Sequence, residues 1–267
     1  MRGGRAATAI VPGVRRPSGS GEPALAGPPP RELSLGCPVN YGVSAVQKRL
    51  DAFSRHWPLT GQRLLDVGCG NGAYTTVLGR RFDEVHAVDV EPDRIEQFRQ
   101  QVAGEPKFSV SVGTAESLPF PDDHFDVVSA IEVIEHIVDL DRALDEIRRV
   151  LRPGGAFLVS CPNRLFPLET HTITVGDRVY PARRVPFLPY VKPLHRRLST
   201  ARNFTRRDLA EAVCRDGLRV VAWDWVMPPL DHWRIGRRQL LGLMGWLERS
   251  PLRIFGVSII AVFEKVG

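Results

Sequence analysis

The sequence predicts an α/β fold, a mostly parallel sheet with helices on both faces. Two observations carry that expectation. Short apolar runs alternate with segments of helical period along most of the chain. One of those runs, Leu64-Leu65-Asp66-Val67, leads directly into Gly68-Cys69-Gly70-Asn71-Gly72, with glycine at every second position. A buried strand, a tight turn whose backbone comes close to something, and a helix over Ala73–Arg81 account for that pattern.

The elements follow in order. Residues 1–36 are rich in Arg, Gly, Pro, Ala and Ser without periodicity and read as a disordered tail. Its arginines hint at a targeting peptide, but prolines at 12, 17, 23 and 28–30 argue against a long amphipathic helix. The domain proper is expected over 37–267. Val43, Val46, Leu50 and Phe53 are spaced for a helix, stopped by Pro58. Strands are expected at Arg63–Val67, at His86–Val90, at Phe108–Val112, at Phe125–Ser129 and at Ala156–Ser160. Between them, Pro92 starts a helix running to Val102. Leu140, Leu144, Ile147 and Leu151 mark an amphipathic helix ended by Pro153-Gly154-Gly155.

Beyond Pro162 the period is lost. Residues 164–203 hold prolines, aromatics and arginines and read as a lid or acceptor-binding insert. Thr205 and Asp208 form an approximate capping box for a helix over Arg206–Arg215. Leu218–Val226 is a sixth strand. A second insert, 227–251, carries a helix over Gly236–Glu248. The last strand centres on Val257–Phe263 and pairs antiparallel with the sixth. Four of the five tryptophans, Trp223, Trp225, Trp233 and Trp246, fall in or beside the second insert, which can pack on the pocket, touch lipid or form a dimer surface.

The composition narrows the class. The chain has 267 residues, 43% hydrophobic and 25% charged, as expected of a soluble globular protein, and a net charge of +6. The basic excess lies on no recognisable nucleic-acid motif, so a nucleic-acid partner is not favoured. Its four cysteines, Cys37, Cys69, Cys161 and Cys214, form no CxxC pair, which fits a reducing, cytoplasmic setting. No apolar run is long enough to span a membrane.

The chemistry is read from two carboxylates. Asp89 ends the second strand about twenty residues after the glycine turn, where an acid accepts hydrogen bonds from a ribose; the plainer reading is a cap before Glu91-Pro92. Asp66 precedes the glycines, and the spacing is not that of a pyrophosphate-binding turn. A carboxylate there repels phosphate and suits a ligand with a positive centre or an amino group. An adenosyl group joined to an amino acid through a sulfonium satisfies both ends.

The motifs Asp66–Gly72, Val88-Asp89-Val90, Gly113–Phe120, Phe125-Asp126-Val127-Val128 and Leu151–Gly155 occur in the order seen in the class I S-adenosylmethionine-dependent methyltransferases, and residues 60–163 closely resemble that family. The resemblance implies a Rossmann-like seven-stranded sheet in order 3-2-1-4-5-7-6 with strand 7 antiparallel. It implies S-adenosylmethionine as cofactor. Gly68, Cys69 and Gly70 would border the methionyl part, with Asp66 beneath them positioning the amino group. Asp89 would hold the ribose, and Val90 would pack on the adenine. Ala115 and Glu116 would lie along the adenine edge, and Ile131 would border the methionyl group. Thr114 stands where many members carry an acid, which excludes that contact here.

Glu135-His136 resembles a pair common in members that methylate small or lipid-like acceptors. His136 is a candidate base, and His171 in the first insert is a second. Glu132, Glu135 and His136 can meet at one ion, as in some quinone-precursor O-methyltransferases, but a charged turn facing solvent is the favoured reading and no metal is expected. Asn163 is a further polar candidate. Phe166, Phe187, Leu188, Tyr190 and Val191 are expected to wall an apolar pocket, with Arg183, Arg184, Lys192, Arg196 and Arg197 as a basic edge suited to an anionic acceptor or a peripheral membrane contact. The leading expectation is methyl transfer to a small, hydrophobic acceptor, most favourably at oxygen, by a monomer or homodimer. An RNA, nitrogen or carbon methyltransferase and a non-catalytic cofactor binder are the alternatives.

Overall fold

A computed structural model describes residues 43–180, 185–215, 217–228 and 237–267. The expected tail, Cys37, Arg183, Arg184 and Trp233 lie outside the described residues. Nine strands are present among the described residues: β1 (Gly61–Val67), β2 (Phe82–Asp89), β3 (Phe108–Val112), β4 (Phe125–Ile131), β5 (Leu151–Pro162), β6 (Ile173–Val175), β7 (Arg178–Tyr180), β8 (Leu218–Val226) and β9 (Ser258–Lys265). The helices are α1 (Val43–Ser54), α2 (Thr75–Leu78), α3 (Pro92–Gln101), α4 (Leu140–Val150), α5 (Lys192–Leu198), α6 (Arg206–Val213) and α7 (Arg237–Arg249).

Seven strands form one sheet in the order β3-β2-β1-β4-β5-β9-β8. The first five are parallel, and β9 runs antiparallel to both β5 and β8. The first insert adds a separate hairpin, β6–β7, so the last two sheet strands carry higher numbers than a seven-strand count anticipates. Aperiodic sequence concealed these short strands, which turn at Gly176 with φ +59°. All seven residues of β4 are buried, as its central place requires, whereas β3 at the edge is half open.

Each face of the sheet has its own core. On one, Leu144 and Ile147 of α4 pack against Phe157 and Phe263. On the other, Val46, Leu50 and Phe53 of α1 pack against Leu64, Leu158 and Val262. Asp139 caps α4 by accepting the Arg142 amide at 3.2 Å, and the Thr205–Asp208 capping box of α6 is complete.

Among the boundaries that differ from expectation, two lie at glycine-containing turns. The helix after the glycine turn is only Thr75–Leu78 with a 3-10 turn at Gly79–Arg81. Gly79 sits so close to β2 that a Cβ there would lie 2.9 Å from the Val85 Cγ2 atom. Strand β5 begins at Leu151, before the Pro-Gly-Gly turn, and a register shift against β4 absorbs the irregularity. The strand order reverses between β1 and β4, which opens a crevice at their carboxyl ends.

Candidate active site

The glycine turn is a set of three left-handed residues, Gly68 at φ +71°, Gly70 at +54° and Gly72 at +83°. A Cβ on Gly68 would stand 2.4 Å from a Val133 methyl, and one on Gly72 would stand 2.3 Å from the Phe98 ring. A Cβ on Gly70 would meet nothing within 4 Å. Two of the turn's glycines are therefore required by protein packing, and the middle one opens onto free space.

The turn is fastened to β2. Gly68 and Cys69 both donate their amides to the Val88 carbonyl, at 2.7 and 3.1 Å. Gly70 donates to Asp89 Oδ2 at 2.8 Å, and Glu91 donates to Asp89 Oδ1 at 3.0 Å. A carboxylate offers about four acceptor positions, so each oxygen keeps one for a ligand. Val90, the next residue, is 40% exposed. Ala115 is buried after β3, with Glu116 half-buried beside it, and Ile131 is buried at the end of β4.

Asp66 is buried at the end of β1. Its Oδ2 accepts from Thr75 Oγ1 at 2.5 Å and its Oδ1 from Ser129 Oγ at 2.6 Å. Burial pushes its pKa up to about 6, opposed by those two hydroxyls. Its contacts tie β1, α2 and β4 together.

Past β4 the chain supplies a second polar group. Glu132 adopts φ +58°, and its Oε1 accepts from Ser160 Oγ at 2.5 Å and lies 3.3 Å from the Arg49 guanidinium. Three residues on, Glu135 is fully buried with no hydrogen bond to either carboxylate oxygen. Desolvation and the nearby Glu132 charge raise its pKa well above the ordinary value. His136 Nε2 and His171 Nε2 each lie 4.0 Å from Glu135 Oε1, and the two rings meet edge to face at 5.2 Å. The ligating atoms of Glu135, His136 and His171 lie within 4.8 Å of one another. Glu132, a member of the triad considered from sequence, is instead held by Arg49, and His171 from the insert takes its place.

The insert is tied down around this cluster. Arg202 donates its amide to the Glu135 carbonyl at 3.1 Å and its guanidinium to the Ile137 and Val138 carbonyls. Glu169 Oε1 accepts the amides of Thr170 and His171 at 3.0 and 2.9 Å, while its Oε2 lies 2.8 Å from His195 Nε2. Burial lowers the pKa of His171, against the pull of Glu169 and Glu132, so the ring is neutral at neutral pH. Sequence reasoning missed Glu169 and His195 because an acid and a histidine in an aperiodic stretch carry no local signal.

Other insert candidates fall elsewhere. Asn163 is buried and donates to the Ile254 and Gly256 carbonyls, so it braces the start of β9 instead of facing an acceptor. Phe166 and Leu188 are buried, but Phe187, Tyr190 and Val191 are exposed and line no enclosed pocket. Lys192 is drawn to Asp208 at 3.6 Å. Trp223 and Trp225 lie within β8, and Trp246 on α7 is exposed.

Residues 65–159 match the family model described as a methyltransferase domain. The ubiquinone biosynthesis O-methyltransferase of Xylella fastidiosa is 33% identical over 143 residues, covering 52% of this chain and 56% of that protein. A probable S-adenosylmethionine-dependent methyltransferase of Mycolicibacterium smegmatis is 37% identical over 105 residues, covering 39% of this chain and 40% of that protein. The chain thus spans about half the length of the curated relatives it matches. Among solved structures, an S-adenosylmethionine-dependent methyltransferase from Mesorhizobium loti superposes with a TM-score of 0.60 at 17% identity, covering 84% of this chain and 100% of that one, a likeness of fold.

Proposed function

We propose that this chain transfers a methyl group from S-adenosylmethionine to a small, apolar acceptor, with oxygen as the favoured acceptor atom. The chain is a methyltransferase and S-adenosylmethionine is its cofactor. One observation carries the reading. Gly70 opens onto free space next to a carboxylate with acceptor capacity, across a switch-point crevice from a buried carboxyl flanked by two histidines.

The residues present fit the cofactor. Asp89 has room for two ribose hydroxyls, exposed Val90 offers an apolar face to the adenine, and Gly70 lets the backbone approach. When bound, the cofactor supplies a methyl group already activated on a sulfonium centre. The protein must then align an acceptor, keep out water and accept a proton. His171, neutral and with its backbone amide held by Glu169, takes the acceptor's proton, and Glu135, whose carboxyl burial shifts toward the neutral form, lies 4.0 Å from both rings.

The test is transfer of labelled methyl from S-adenosylmethionine to a panel of apolar phenols, catechols, fatty acids and short RNAs, with and without chelator. Turnover of a phenolic acceptor, unaffected by chelator, is expected. Methylation confined to RNA would overturn the acceptor class. Activity lost to chelation and restored by a divalent ion would reassign Glu135, His136 and His171 to a metal. Absence of cofactor binding by calorimetry would end the reading.

A further inference from the structure

We propose that the 3-10 turn Pro251–Phe255 and the adjoining stripe of α7 dock this protein onto an anionic lipid bilayer.

The turn carries apolar side chains that the fold does not use. Its sequence, Pro251-Leu252-Arg253-Ile254-Phe255, holds three large apolar groups, yet no residue of it is buried. A 3-10 helix repeats every three residues, so Leu252 and Phe255 share one face. The helix that leads into the turn continues the exposure. Leu243 and Trp246, one turn apart on α7, are 47% and 58% exposed, and α7 packs against the turn. Single exposed apolar side chains are ordinary, whereas five between residues 243 and 255 make a patch.

These groups are held outward by a fixed backbone. Asn163, buried, donates to the Ile254 and Gly256 carbonyls at 2.8 and 2.7 Å. Ser250 Oγ accepts the Leu252 amide at 3.2 Å. The turn is thus ordered before anything touches it, and contact requires little further ordering of the chain. Asn163 directly follows β5, so the turn stands at the carboxyl end of that strand. Strands β1, β4 and β5 are parallel and end on the same rim, where the crevice opens. Docking through the turn brings that rim toward the lipid.

Charge decides the occupant. Residues 237–255 carry four arginines and one acid, Glu248. Lys48 of α1 neutralises that acid at 2.8 Å. Arg249 continues the Leu243–Trp246 stripe at the end of α7 and is exposed. Arg206, at the start of α6, lines a shallow groove with Ile254. Neither arginine has an ion-pair partner among the described residues. Arg206 and Arg253 lie over the Trp225 ring at 5.5 and 5.7 Å, which holds both guanidinium groups beside the apolar patch. Apolar tips including a tryptophan, bordered by cations, suit a bilayer: the tips enter the acyl boundary and the arginines meet lipid phosphates.

The test is co-sedimentation of the full chain with vesicles of phosphatidylcholine alone and of phosphatidylcholine mixed equally with phosphatidylglycerol. Binding to the mixed vesicles is expected to be about tenfold or more tighter, and to weaken as salt is raised. Trp246→Ser combined with Phe255→Ser should reduce it about tenfold or more. Arg206→Gln combined with Arg249→Gln should reduce it about fivefold per arginine, with binding to phosphatidylcholine unchanged. Both variants should keep the wild-type Tm, because every altered side chain is exposed. A wild-type protein that stays in the supernatant would overturn the proposal without any variant having to fold. So would equal binding to the two kinds of vesicle, or undiminished binding by the Trp246→Ser, Phe255→Ser protein, which would move the contact to other basic segments. Self-association of the wild type in sedimentation velocity, lost in that same variant, would give the surface to a second copy and overturn it too.

Discussion

The Asp89 carboxylate holds the glycine turn in place, with Oδ2 2.8 Å from the Gly70 amide. The acid expected to grip a ribose is thus also the buckle between β2 and the turn, fixing the one glycine that faces open space. Ligand binding and loop order are coupled through a single side chain. Asp89→Ala should weaken S-adenosylhomocysteine binding by about 1.5–3 kcal/mol, the range for lost charge-assisted hydrogen bonds. It should also speed hydrogen exchange at the Gly70 amide. Calorimetry and exchange read the two effects separately, and unchanged affinity would remove Asp89 from the ribose.

The glycines of the turn should respond differently to alanine. Gly68→Ala meets Val133 at 2.4 Å and a left-handed backbone, so a loss of about 2–4 kcal/mol in stability is expected. Val133→Ala in the same protein should recover part of it. Gly70→Ala meets nothing within 4 Å, and should cost only about 1–2 kcal/mol for its backbone while abolishing cofactor binding. Thermal unfolding with calorimetry distinguishes them. A Gly70→Ala protein that binds normally would show that the open space is not the cofactor's.

These contrasts mark what the sequence could show. The glycine turn and Asp89 were legible because both are local: alternating glycines impose backbone conformation within five residues, and an acid ending an apolar run marks a strand's carboxyl end. The hydrogen bonds that hold Asp66 were not legible, because one partner, Ser129, lies 63 residues away and no spacing rule links them. Asn163 was misread for the same reason, since the carbonyls it serves are 91 and 93 residues distant. The meeting of Glu135 with His171 depends on how an aperiodic insert folds back over the sheet. That path is set by Arg202 and Glu169, polar anchors that leave no periodic trace.

Asp66 gives the protein a pH signature. Burial raises its carboxyl from 3.8 to about 6, so the native state keeps a proton that the unfolded chain releases. Stability from this group is therefore highest at acid pH, falls between about pH 4 and about pH 6, and is level above. The total change is about 3 kcal/mol, at 1.36 kcal/mol per pKa unit. Asp66→Asn, whose amide can still meet Thr75 and Ser129, should gain stability relative to wild type as pH rises through that window. Urea unfolding at about pH 4.5 and about pH 7.5 measures it. A constant difference between the two proteins would mean that Asp66 is not held in its neutral form.

His171 and His136 compete for the role of base, and pH separates them. The His171 ring titrates below its ordinary 6.5 because burial disfavours the charged form more than Glu169 and Glu132 favour it. A base must be unprotonated to act, so turnover should rise with pH along a limb centred below 6.5 and then stay flat. His171→Gln should cut turnover by about 10²–10⁴-fold and erase that limb, with S-adenosylhomocysteine affinity unchanged. His136→Gln should reduce turnover and keep the limb, since the limb belongs to the His171 ring, whose Nδ1 lies 3.1 Å from Thr170 Oγ1 while its backbone amide is tied to Glu169. If the limb survives in His171→Gln and disappears in His136→Gln, the proton goes to His136, and the insert's contribution is to seal the site around it.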